Sequence, residues 1–102
     1  MKIVYNKEDM DSKLNRLFNS LDRFESVSSE DDEGYDLYYY PKGKKSIFSK
    51  KILVLSYFSS YYIQSHMNID VYNRDVFFST ELEDILVKFE KDNKIEIKAT
   101  VR

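Results

Sequence analysis

The chain has 102 residues and a formal net charge of −2, and its nine Tyr and seven Phe make it 16% aromatic. That length holds one modest core and no separate regulatory domain, and the ring content argues against disorder. With no cysteine, disulfides, thiol nucleophiles and cysteine-rich metal sites are excluded.

The N-terminal MKIVYNKEDM lacks the apolar core of a secretion signal, and the longest aliphatic run, ILVL, is too short to span a bilayer. The expected location is therefore the cytoplasm. KIVY (2–5) reads as a first strand, and Asn6 as the cap of the helix that follows. Met10, Leu14, Leu17, Leu21 and Phe24 repeat at spacings 4, 3, 4 and 3, which predicts a helix over about 7–25 with one apolar stripe. ESVSSEDDEG (25–34) is polar, acidic and ends in Gly, so it reads as a loop.

YDLYYY (35–40) is the second strand, ended by Pro41, with PKGKKS as its turn. KKILVLSYF (50–58) is apolar on both alternating faces, as in a central strand. Residues 61–72 alternate with period two: Tyr61, Ile63, Met67, Ile69 and Val71 on one face, Tyr62, Gln64, His66, Asn68, Asp70 and Tyr72 on the other. DVFFS (75–79) is a further candidate strand. Thr80 and Glu83 match a capping box ahead of a second helix whose apolar face is Leu82, Ile85, Leu86 and Phe89. Asn93 is expected to cap that helix, and KIEIKATVR alternates as a last strand with Ile95, Ile97, Ala99 and Val101 inward.

The order β-α-β-β-β-(β)-α-β predicts a single two-layer α+β domain over 1–102. In it a mostly antiparallel sheet of 5–6 strands carries two helices on one face.

The chemistry is sparse. Gly34 and Gly43 stand alone, without a phosphate-binding loop. His66 is the only histidine, and Asp70, four residues along the same strand, lies roughly 13 Å away at about 3.3 Å per residue, beyond any hydrogen bond. The paired acids of EDDE and ELED fit solvation and helix capping. No enzymatic role, metal or cofactor is expected.

Charge is segregated. Residues 25–36 carry six acids and no Lys or Arg, whereas 37–69 carry five lysines and no acid. Opposite blocks of this kind either steer a partner or neutralise each other across a hairpin. In the aromatic and basic stretch YDLYYYPKGKKSIFSKK (35–51), alternation puts Tyr35, Leu37 and Tyr39 on one face and Asp36, Tyr38 and Tyr40 on the other, which leaves the two tyrosines exposed beside Lys42, Lys44 and Lys45. Rings beside lysines suit single-strand nucleic-acid binding. The acidic balance and the lack of Arg in the stretch favour a protein interface instead.

The sequence thus points to a small binding protein, an inhibitor of the immunity or anti-defence kind found among bacterial and phage proteins. It would act by occupying the surface of a nuclease, toxin or defence effector, as a monomer or a homodimer. The alternative is a single-stranded nucleic-acid or nucleotide binder using the 35–51 hairpin. The expected contact residues are Tyr38, Tyr40, Lys42, Lys44 and Lys45, then the acids Glu30, Asp31, Asp32 and Glu33, then Tyr62, Gln64, His66 and Asn68.

Overall fold

The computed structural model describes residues 10–29, 34–43, 45, 48–59 and 66–102. The expected strand at 2–5, the acids Glu30, Asp31, Asp32 and Glu33, Lys44, and Tyr61 to Ser65 with Tyr62 and Gln64 lie outside the described residues. Three helices and five strands follow in the order α1 (Met10–Asn19), β1 (Phe24–Ser28), β2 (Tyr35–Tyr39), β3 (Ile52–Ser59), β4 (His66–Val71), α2 (Arg74–Ser79), α3 (Leu82–Asn93) and β5 (Glu96–Val101). The strands form one sheet in sequence order. β1 to β4 pair antiparallel, and β5 returns through α2 and α3 to lie parallel to β4. This is the expected α+β class with a mostly antiparallel sheet. No helix among the described residues is long and apolar enough to cross a membrane.

The core lies between one sheet face and the helices. Leu14 and Phe18 of α1 and Leu82, Leu86 and Phe89 of α3 meet Leu37, Leu55, Tyr57, Met67, Ile69 and Val71 of the strands. Each such side chain contributes on the order of 1.5–3 kcal/mol by leaving water. Phe18 packs edge-on against Tyr57, with ring centroids 5.7 Å apart. Lys13 Nζ donates to Asn93 Oδ1 at 2.7 Å, tying α1 to α3 on the same side of the sheet.

β3 carries the irregularity that explains its doubly apolar sequence. Leu37 faces Leu55, yet the next residue, Tyr38, faces Leu53, so Val54 is an extra, bulged residue. Val54 and Leu55 are both buried, and the Val54 carbonyl accepts from the Tyr72 and Asn73 amides at 2.8 and 3.0 Å. Beyond the bulge, Leu53 turns to the opposite face with Tyr38.

Six sequence expectations change. The first helix ends at Asn19 rather than near residue 25, and residues 25–28 belong to β1 instead of a loop. The apolar stripe could not place this boundary, because Phe24 is buried as a strand residue just as it would be on a helix. β1 also escapes notice because its central inward residue is Ser26, whose hydroxyl lies 2.6 Å from the Tyr57 hydroxyl in the core.

DVFFS is helical: the Asn73 side chain accepts from the Val76 amide at 3.0 Å and starts α2, which buries Phe77. Thr80 makes no capping box. Its hydroxyl donates back to the Val76 carbonyl at 2.7 Å, and α3 begins without a side-chain cap. At the other end of α3, Lys94 rather than Asn93 is the terminal cap, in a left-handed conformation. Among the described residues the last strand is an edge, and Ala99 and Val101 are exposed although their alternation is inward.

Candidate partner-binding face

The helices cover one side of the sheet, and the pleat sends alternate residues to the other. Register fixes what stands there. Val27, Asp36, Ser56, Asp70 and Thr100 form one row across all five strands. Phe58 and Asn68 are paired in the next row, with Lys98 on β5 beside them. His66 and Asn68 therefore lie on this open face, as their alternation predicts.

A concavity of about 550 Å³ opens on this side, bordered by Asp36, Ser56, Phe58, Asp70 and Tyr72. Its aromatic part is accessible: Phe58 is 41% and Tyr72 44% exposed. Gly34 packs closely on Tyr57 and Phe58. At φ +123° a side chain there is strained, and a Cβ would meet the Tyr57 carbonyl oxygen at 2.6 Å.

The two carboxylates differ in their surroundings. Asp70 faces the chain's own Arg102, whose Nη2 is 3.9 Å from Oδ1 while its guanidinium lies 5.7 Å from the Tyr72 ring centroid. The Tyr72 hydroxyl in turn sits 3.2 Å from Ser56 Oγ. This corner holds a guanidinium by charge and by a ring face together. Asp36, on the far side of Ser56, has no hydrogen-bond or ion-pair partner among the described residues. Burial pushes its carboxyl up from the ordinary value.

The tyrosine and lysine hairpin is built differently. Tyr40, expected to be exposed, is only 4% exposed. It follows the end of β2, so strand alternation no longer governs it, and its hydroxyl donates to Glu25 Oε1 at 3.3 Å. Burial, then Glu25, pushes its pKa up. Tyr38 does stand on the open side, but the Lys51 ammonium lies 4.3 Å from its ring centroid. That same ammonium pairs with Glu25 at 3.2 Å, a hydrogen bond that holds the Lys51 pKa up. Lys45 donates to the Asn19 carbonyl at the end of α1, at 3.1 Å, where a cation suits the helix dipole. The acidic and basic blocks thus partly neutralise each other, through Glu25 and Lys51. Lys42 and Phe48 remain exposed.

Of the expected contact residues, the structure brings Tyr38, His66 and Asn68 to the open face, keeps Lys42 and Lys45 on the hairpin, and buries Tyr40. It adds Asp36, Ser56, Phe58, Asp70 and Tyr72. Asp70 and Tyr72 were legible on the polar face of 61–72. Phe58 was hidden in an apolar run that reads as core. Among the described residues no three His, Asp or Glu side chains gather as a metal site. No family model, curated protein or solved structure matches this chain.

Proposed function

We propose that this chain is a non-enzymatic binding protein that acts by occupying the surface of another protein, in the manner of an inhibitor or immunity protein. The open sheet face is the contact surface. The observation that carries this reading is the concavity in which the exposed Phe58 and Tyr72 rings adjoin a carboxylate, Asp36, that has no partner among the described residues. Aromatic anchors in a pocket are the usual centre of a protein interface. A partly exposed carboxylate with no cation beside it among the described residues disfavours anions and suits a basic group. The partner that fits is a protein presenting a Lys or Arg side chain amid apolar residues. The Arg102, Asp70 and Tyr72 cluster provides an internal example of the contact.

The nucleic-acid alternative draws less support from the same residues. Tyr40 is buried, Tyr38 is covered by Lys51, and Lys45 is engaged on α1. Parallel capture from the native host separates the readings. Asp36→Lys and Phe58→Glu should each abolish recovery of the partner that the wild-type chain retains, whereas Lys42→Glu with Lys45→Glu should leave it intact. Loss with the hairpin pair and retention with both face variants would overturn the assignment.

A further inference from the structure

The two edges of the sheet are finished differently. On β1 the outward backbone groups of the central residue are occupied. The Ser26 amide donates to Asn19 Oδ1 at 2.8 Å, and its carbonyl accepts from the Asn15 and Asn19 side chains, each at 3.0 Å. Two asparagines of α1 thereby stand where a neighbouring strand would bond, which blunts that edge.

Among the described residues, β5 has such cover at Ile97 alone. The Arg102 amide donates to Val71 of β4 at 3.0 Å, so residues 96, 98, 100 and 102 direct their backbone groups to β4, and residues 97, 99 and 101 direct theirs outward. The Ile97 amide is taken by Glu90 Oε2 at 2.7 Å. No described residue pairs with the outward groups of Ala99 and Val101. Exposed apolar side chains accompany them. Val101 is 40% exposed, and Val87, 58% exposed, lies one helical turn before Glu90 on the side of α3 that reaches this edge.

We propose that β5 pairs antiparallel with β5 of a second copy of this chain, with Ala99 opposite Ala99. This register matches chemistry at every position. Ile97 faces Val101 on the helix side, and Glu96 faces Arg102 on the open side at both ends, with Lys98 opposite Thr100. Hydrogen bonds run from Ala99 to Ala99 and from the Val101 amide to the Ile97 carbonyl, reciprocally, leaving the Ile97 amide to Glu90. Moving the register by two residues, so that Ala99 faces Val101, would set Lys98 against Arg102, which repel. Val87 of each copy comes above the joint. Because the β1 edge is blunted, association closes at two copies rather than growing into a fibre. The two-fold axis is perpendicular to the sheet, so both open faces point the same way and the dimer is bivalent.

Sedimentation equilibrium of the full chain, from about 1 to 100 µM, tests this. The wild type should show twice the chain mass. Glu96→Arg and Arg102→Glu should each weaken association roughly tenfold, and the two together should restore it. Ala99→Pro, whose fold is verified by circular dichroism, should be monomeric. A monomer at every concentration overturns the proposal, as does a dimer indifferent to these variants. So does a monomer that dimerises only after residues 1–9 are removed, since the chain's own N-terminal segment would then be the occupant of the edge.

Discussion

The hairpin at 38–51 and the open face across β2, β3 and β4 both combine rings with charge, yet only one keeps them available. In the hairpin four of the residues that stand out in the sequence have internal partners: Tyr40 with Glu25, Lys51 with Glu25 and Tyr38, Lys45 with the end of α1. On the open face Asp36 has none among the described residues, and Phe58 and Tyr72 expose large rings. Density of aromatic and basic residues is therefore a poor guide to a binding surface. What counts is which groups folding leaves unsatisfied.

If that contrast is right, hairpin variants lower stability and spare binding, while face variants do the reverse. The largest effect belongs to Tyr40→Ala, which empties a buried site. It should cost about 3 kcal/mol of unfolding free energy, read by denaturant titration, with partner affinity of the folded fraction unchanged. Phe58→Ala comes next. It should weaken partner binding by about 2 kcal/mol, roughly 30-fold, and shift stability by no more than about 0.5 kcal/mol, measured by calorimetry and melting respectively.

Asp36 sharpens the comparison through pH. Burial raises its folded pKa above the ordinary carboxylate value, so its protonated form favours the folded state. Its contribution to stability is present below the unfolded pKa and lost as pH rises through the folded one. Asp36→Asn should therefore flatten the melting temperature over that acidic window, while the wild type binds its partner less well as pH falls and the carboxylate is neutralised. The smallest effect is that of Lys51→Ala. Its pair with Glu25 is solvent-exposed, so stability should fall by under about 1 kcal/mol, with partner affinity unmoved.

The sequence carried the α+β class, the faces of β2 and β4 and the stripe of α3, because apolar alternation there matches burial. It missed β1 because Ser26 buries a hydroxyl bonded to Tyr57, and polarity then mimics a loop. It missed α2 because a six-residue helix is shorter than two turns and its Phe77–Phe78 pair reads equally as strand. Within the candidate site, His66, Asn68, Asp70 and Tyr72 were legible from the period of one strand. The outward face of Asp36 was legible from the alternation of 35–40, but that it shares a row with Ser56 and Asp70, with Phe58 beside Asn68, follows from cross-strand register, which no single-strand pattern encodes.

Site-specific photocrosslinking in the native host tests the binding face most directly, with a photoreactive phenylalanine analogue placed in turn at positions 58, 72 and 42. The account predicts one adduct of the same mass from positions 58 and 72, abolished by Asp36→Lys, and none from position 42. An adduct formed from position 42 alone, or one indifferent to Asp36→Lys, would contradict it.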